Sequence, residues 1–381
     1  MIHPAIPSSR SDVIVIGARC AGAATAMLLA RTGHRVLLVD RGRYGTDTVS
    51  THALMRGAVV QLQRWNILPA VIAAGATPVR QATFFYGDET MAVPIKPRDG
   101  VDALYAPRRD LLDRLLVDAA SAAGADIVYG VSLKGVERSG SGRVTGAILE
   151  DQHGRTHRVG SRIVVGADGL RSTLARLVGA PAYRVGQSAS ATIYGHFTGL
   201  DVDGYGWYFV PGFTAAAIPA NGGLTCVSVS LPATEFTRRF AHQSSAAFRA
   251  VLALAAPDLA QRLGHAAPSR LQGFAGHPGF FRQSFGPGWA LVGDAGYFKD
   301  PSTSHGITDA LRDADVLASA IAADSEAALA DYQSERDAAS LALFDVTETI
   351  ASFRWDLSEL RVLHERLARS MSREVKPALS A

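Results

Sequence analysis

A run of β-branched residues, Asp12-Val13-Ile14-Val15-Ile16, passes directly into Gly17-Ala18-Arg19-Cys20-Ala21-Gly22 and then into an Ala/Leu-rich stretch from Ala23 to Arg31. The first reads as a strand buried on both faces, the glycine segment as a tight turn, and the third as a helix. A second apolar strand, Val36 to Val39, ends at Asp40. This order confines the start of the chain to a parallel α/β layer. It also supplies the chemistry that holds a dinucleotide. Glycines admit a pyrophosphate close to the backbone, the helix N-terminus offers amide donors and partial positive charge, and Asp40 stands where a ribose hydroxyl donates.

Arg19 takes the place at which such turns usually carry their middle glycine, and Cys20 sits beside it. A guanidinium there either crowds the ligand or is aimed at a phosphate or a ring edge.

Two later segments repeat the strand-then-turn pattern. Arg162-Ile163-Val164-Val165 leads into Gly166-Ala167-Asp168-Gly169-Leu170-Arg171-Ser172, with a helical run from Thr173. Trp289-Ala290-Leu291-Val292 leads into Gly293-Asp294-Ala295 and on to Asp300-Pro301, Ser304, Gly306, Thr308 and Asp313. A further segment, Ala106-Pro107-Arg108-Arg109-Asp110-Leu111-Leu112-Asp113, opens an amphipathic helix. Taken together these segments resemble the FAD-dependent aromatic hydroxylases, in a superfamily shared with geranylgeranyl-type reductases and flavin-dependent halogenases. The resemblance covers the chain apart from a short stretch at each end. Tyr297, Ser304 and Thr308 depart from its usual histidine, glycine and asparagine.

That resemblance implies an α/β fold: a Rossmann-like FAD-binding domain, a second, mainly antiparallel β-sheet substrate domain, and C-terminal helices. It implies FAD as cofactor. The residues it assigns to FAD are Gly17, Ala18, Arg19, Cys20, Ala21, Gly22, Asp40, Arg41, Arg109, Val131, Asp168, Gly169, Asp294, Pro301, Ser304, His305, Gly306 and Ile307. A helix starting after Pro301 would point its positive end at the pyrimidine edge of the flavin.

The expected domain boundaries interleave. FAD-binding segments cover 11–80, 101–180 and 276–325, a hairpin at 81–100 leaves for the substrate domain, 181–275 forms the bulk of that domain, and 326–381 forms the C-terminal helices. Short β runs at 190–195, 206–210, 214–218 and 224–231 build the second sheet, covered by a helical stretch from Phe236 to Leu263. Within it, Trp207, Tyr208 and Phe209 are the substrate candidates, although alternation sends Tyr208 to the face opposite its neighbours. His52, His305 and Lys299 are the catalytic candidates, able to orient a phenol or relay a proton.

Composition narrows the field further. At 381 residues and 48% hydrophobic content the chain can build a substantial core. A formal net charge of +3, with basic residues dispersed among acidic ones, gives no nucleic-acid footprint. Cys20 and Cys226 form neither a disulfide framework nor a metal-ligand spacing, so no metal is expected and a cytoplasmic location fits. No apolar run is long enough for a transmembrane segment.

The expected activity is monooxygenation of an aromatic or polycyclic small molecule, using O2 and NAD(P)H through an oxygen adduct at flavin C(4a). Only one dinucleotide turn occurs, so NAD(P)H would act as a transient reductant, or a separate flavin reductase would serve as partner. Reduction of an isoprenoid-like alkene is the alternative, since Tyr205-Gly206-Trp207 resembles the reductase branch. Halogenation is less favoured because the Trp-x-Trp-x-Ile-Pro signature is absent, and a flavin- or ligand-binding protein without turnover is the non-enzymatic reading.

Overall fold

The computed structural model describes residues 2–3, 6, 10–240, 245–268 and 270–374. Its first layer starts with Val13–Ile16 (β1), Cys20–Arg31 (α1) and Val36–Asp40 (β2), with Arg56–Arg64 (α2) beyond a loop. The chain then leaves through a hairpin, Gln81–Tyr86 (β3) and Glu89–Pro94 (β4), and returns along Arg109–Ala122 (α3) to Asp126–Tyr129 (β5). A meander follows, Ser132–Arg138 (β6), Val144–Glu150 (β7) and Thr156–Gly160 (β8), then Ile163–Gly166 (β9) and Thr173–Val178 (α4).

The second layer consists of Ser190–Thr198 (β10), Tyr205–Val210 (β11), Phe213–Pro219 (β12), Leu224–Pro232 (β13), helices Ser245–Ala255 (α5) and Pro257–Leu263 (α6), and Leu271–Phe274 (β14). Trp289–Leu291 (β15) rejoins the first sheet. Gly306–Ala322 (α7), Glu326–Ala351 (α8) and Leu357–Glu374 (α9) complete the chain.

The first sheet has seven strands, with β5, β2, β1, β9 and β15 adjacent in that order and parallel throughout this run. A short antiparallel strand, Phe285–Gly286, closes its edge. All four residues of β1 are buried, as the β-branched run requires. Every residue of α1 except Leu28 and Arg31 is buried as well, because small side chains let it sit tightly between this sheet, α3 and α7. The meander covers the opposite face through Leu133, Val144, Ala147 and Leu149.

The second sheet also has seven strands, in the order β14, β10, β13, β12, β11, β3, β4. Every pairing is antiparallel except that of β11 with β3, where the excursion at 81–94 joins. One face packs against α5 and α6 through Ile193, Phe197, Val227, Val229 and Leu231. The other looks toward the first layer. At its β11–β3 end, Tyr86 and Phe209 meet α8, α9 and the connection between them through Ile350, Trp355, Leu360 and Leu363, and the Tyr86 hydroxyl lies 2.7 Å from His364 Nδ1.

The helical stretch expected from Phe236 to Leu263 is broken. Helices span Phe236–Phe240, α5 and α6, with residues 241–244 outside the described set. Pro257 occupies the first turn of α6, where its missing N–H is harmless, and so starts a new helix. Among the described residues no helix is long and apolar enough to cross a membrane.

Candidate functional site

A cleft of about 860 Å³ lies between the two sheets. Its walls run from Asp40 and Arg41 at the end of β2, past the N-termini of α1 and α7, to Ser228 and Ser230 on the second sheet. Ligands of parallel α/β layers bind beyond the carboxyl ends of their strands, which is where this cleft begins.

The turn after β1 shows why glycine is needed twice. Gly17 holds φ +106, and a Cβ on Gly22 would stand 1.8 Å from the Gly17 carbonyl oxygen, so α1 could not close on the turn. Asp40 accepts from the Ala18 amide at 2.7 Å and the Gly42 amide at 2.6 Å, which fixes its carboxylate beside the turn. Arg19, Cys20 and Ala21 line the cleft, whereas Ala18 and Gly22 lie behind it. The Arg19 guanidinium bends away along its rim, donating to the Thr46 carbonyl at 3.0 Å and to Asp113 at 3.1 Å. Asp113 also receives Arg109 at 2.9 Å, so one buried carboxylate holds two arginines. Burial opposes the charge on Arg109, but Asp113 beside it keeps the guanidinium firmly protonated.

Asp168 is turned toward its own helix. It accepts from the Ser172 hydroxyl at 2.5 Å and from the Thr173 amide at 2.6 Å, acting as an anchor for α4. Gly169, at φ +77 with open space where a Cβ would stand, and Val131 complete this end of the wall.

At the other end, Asp294 faces the cleft with no hydrogen-bond donor among the described residues. Burial pushes its carboxyl up to about 6, against the pull of Arg109 and Lys299. Pro301, Ser304, Gly306 and Ile307 line the cleft beside it, at the start of α7. Ser304 is left-handed at φ 51. His305 is buried behind this wall, with Nε2 3.8 Å from Asp309 Oδ1. Lys299 reaches the wall but its ammonium pairs with Asp309. Asp300, fully buried, accepts from the Ser190 amide at 2.6 Å, the Ser190 hydroxyl at 2.7 Å and the Ser302 amide at 2.9 Å. It ties the start of β10 to the turn before α7.

On the second sheet, Trp207 and Phe209 face the cleft, alongside Thr192, Tyr194, Thr214, Ala216, Ser228, Ser230 and Phe274. Tyr208, expected with them, is corrected: it points to the far face, stacked on Phe85 with ring centroids 4.3 Å apart and packed into the core under α5.

His52, left-handed at φ 50, also reaches the wall. Its Nδ1 lies 3.0 Å from the Ala106 carbonyl and its Nε2 2.8 Å from His196 Nε2. A carbonyl only accepts, so Nδ1 carries the proton, and His196 donates to His52 Nε2. Burial, then the neighbouring His196, pushes His52 down to about 3, and burial lowers His196 too. The thiol of Cys226 lies close by, the three donor atoms falling within 4.8 Å of one another. The rings lie 7° from parallel with centroids 5.1 Å apart, which at that nitrogen separation places them edge to edge. A tetrahedral ion with bonds of about 2.0–2.1 Å would hold the nitrogens roughly 3.3 Å apart. The 2.8 Å contact is a hydrogen bond in which His196 donates to His52.

Residues 10–347 match the family model described as FAD binding domain. The chain belongs to that family. FAD is its cofactor, and the chain is an FAD-dependent oxidoreductase. Menaquinone reductase of Mycolicibacterium smegmatis is 28% identical over 326 residues, which cover 79% of this chain and 73% of that protein. Two solved structures share the fold: the flavin-dependent brominase Bmp2, as a triple mutant, with TM-score 0.82 and 18% identity over 97% of this chain and 96% of that one, and PqsL, a probable FAD-dependent monooxygenase from Pseudomonas aeruginosa, with TM-score 0.75 and 22% identity over 96% of this chain and the whole of that one.

The cleft fits FAD on its own terms. Asp294 is an acceptor open to the cleft, and a Cβ on Gly306 would meet nothing within 4 Å, leaving room for a flat ring against the α7 amides. Sequence reasoning named Asp300 in the late motif without a role, and missed His196 and the hydroxyl-bearing face of β10 and β13. A signal was present in the alternation of polar Thr192, Tyr194 and His196 with apolar Ala191, Ile193 and Phe197. Such alternation on a strand buried on both sides marks a second, polar environment.

Proposed function

We propose that this protein is an FAD-dependent monooxygenase acting on an aromatic small molecule, with NAD(P)H as the reductant. The observation that carries this reading is the composition of the wall opposite α7: hydroxyl groups of Thr192, Thr214, Ser228 and Ser230 set between the aromatic rings of Trp207, Phe209 and Phe274. Rings receive a flat substrate face and hydroxyls orient its oxygen atoms.

Bound FAD supplies the electron transfer and oxygen activation. The chain's residues hold and shape the site. Amides at the start of α1 would hold the diphosphate, Asp40 would accept from the ribose, and Arg41 and Val131 would border the adenosine end. Asp294 would accept from the ribityl chain, with Arg109 favouring its ionised form. The first turn of α7, at Gly306 and Ile307, would offer its amides and partial positive charge to the flavin's pyrimidine edge. His52 donates its Nδ1 proton to the Ala106 carbonyl and its Nε2 accepts a hydrogen bond from His196, so neither ring adds charge beside the substrate.

The test is incubation of FAD-loaded protein with NAD(P)H, labelled dioxygen and a panel of phenolic aromatics. Substrate-dependent NAD(P)H consumption with one labelled oxygen in the product is expected. A second reading, reduction of an isoprenoid-like alkene, is favoured by the similarity to menaquinone reductase and by Tyr205-Gly206-Trp207. Anaerobic alkene reduction, with no label incorporated in air, would replace the first reading with the second.

A further inference from the structure

The strand register places five residues in one row across the second sheet. Phe274 pairs with Thr192, Thr192 with Ser230, Ser230 with Thr214, and Thr214 with Phe209. All five line the cleft. Strands stand about 4.8 Å apart, so the three hydroxyls cover roughly 10 Å between two phenyl rings. The next row toward His196 contains Tyr194, Ser228, Ala216 and Trp207.

These hydroxyls are not consumed by the fold. Thr192 and Ser230 share one hydrogen bond at 2.7 Å, which leaves one hydroxyl proton and several lone pairs for the cleft. The hydroxyls of Thr214 and Ser228 make no hydrogen bond among the described residues. Side chains on the opposite face of the same strands, Ile193, Val229 and Ala215, are wholly apolar. A packed sheet gains nothing from a row of hydroxyls unless something polar meets them.

Charge is distributed with equal clarity. Of the cations along the cleft, Arg19, Arg41, Lys134, Arg171 and Arg176 belong to the first layer and its meander, while Arg109, whose charge reaches Tyr194 in the neighbouring row, is held by Asp113. Lys299 is paired with Asp309. A carboxylate on the substrate would find hydroxyls and rings at the row, and the cations whose charge reaches it, Arg108, Arg109 and Lys299, are already neutralised by Asp47, Asp113 and Asp309, so they offset little of its loss of water.

We propose that the Thr192–Ser230–Thr214 row selects an uncharged, flat aromatic substrate bearing oxygen substituents along one edge. The proposal rests on the monooxygenase reading for its reaction, but its binding test does not depend on turnover.

Three probes distinguish the cases: a dihydroxyanthraquinone, the parent anthraquinone without hydroxyls, and the same dihydroxyanthraquinone carrying a carboxylate. Binding to the FAD-loaded protein is read from perturbation of the flavin absorbance. The neutral dihydroxy probe should bind about tenfold or more tightly than either of the others. Thr192→Val with Ser230→Ala should remove that preference while retaining FAD in full and its spectrum, which reports an intact fold. Thr214→Lys, on a half-buried position, should invert the preference toward the carboxylated probe. Equal or tighter binding of the carboxylate by the unaltered protein overturns the proposal, as does an unchanged preference in the double variant. Hydroxyl-dependent binding with no labelled oxygen transferred leaves the proposal standing and removes the monooxygenase reading. Preferred binding and hydroxylation of the carboxylated probe does the reverse.

Discussion

Arg19 Nη1 lies 3.1 Å from Asp113 Oδ2, although 94 residues separate them in sequence. An arginine in the glycine place of a dinucleotide turn is thereby drawn onto α3, along the rim of the cleft it still lines. Asp113 accepts from the Cys20 thiol as well, so it fastens the start of α1 to α3 at two consecutive residues.

Asp113→Ala leaves Arg109 buried without its counter-charge and should lower stability by about 3–5 kcal/mol. Arg19 is a third exposed, so Arg19→Gly should cost about 1 kcal/mol or less, with solvent screening most of its attraction. Chemical denaturation of the FAD-free protein reads both. Fluorescence titration with FAD should show unchanged affinity for Arg19→Gly. A large loss of affinity there would mean that the guanidinium holds the cofactor after all.

Two glycines should fail in different ways. Gly22→Ala sets a Cβ against the Gly17 carbonyl and should disrupt the fold itself, lowering Tm with or without FAD. Gly306→Val adds volume where the structure is open. It should leave the FAD-free protein close to its normal Tm while abolishing FAD retention. If both variants lost Tm equally without FAD, the space before α7 would have a structural purpose.

Asp294 gives opposite pH signs for stability and for binding. Its carboxyl is raised to about 6 in the folded protein, so the folded state prefers the proton. Stability from this group is full below the ordinary carboxylate range and is lost as pH rises through about 6. FAD needs the ionised acceptor, so affinity should fall below about pH 6, by up to about tenfold per pH unit. Asp294→Asn should raise the stability of the FAD-free protein at neutral pH, weaken FAD binding and flatten its pH dependence. A variant that kept the slope would assign the titration to another group.

The His52–His196 contact makes a separate prediction. Both histidines are lowered in the folded state, His52 to about 3. Stability is complete above their ordinary range near 6.5 and is lost as pH falls below it, at about 1.4 kcal/mol per pH unit for each ring that must stay neutral. His52→Asn, with a side chain suited to the left-handed backbone there, should reduce this slope between about pH 6.5 and 5. Denaturant midpoints across that interval decide the matter.

Local features were readable from the chain because their causes are local. The run Asp12–Ile16, the glycines after it and Asp40 lie within one strand-turn-helix-strand unit, where residue type dictates conformation. The second sheet was readable as strands but not as a surface. Alternation separates Tyr208 from Trp207 and Phe209, yet only the packing of α5 on one face tells which side meets the cleft. His52 and His196 stand 144 residues apart, and Asp300 finds Ser190 across 110. Neither pairing leaves a mark in either segment alone. The hydroxyl row is a product of register among five strands, and register is set by the sheet as a whole.

The Asp300–Ser190 connection has a consequence for how such a protein diversifies. It pins the beginning of the second sheet to the turn before α7, while the four strands from Ser190 to Pro232 carry most of the wall above it. Variation in that one continuous stretch of gene can rewrite what is recognised and leave the cofactor's half of the molecule untouched. On the proposed reading, replacing the 190–232 segment while keeping the Asp300–Ser190 bond would change what the wall recognises without disturbing that tie.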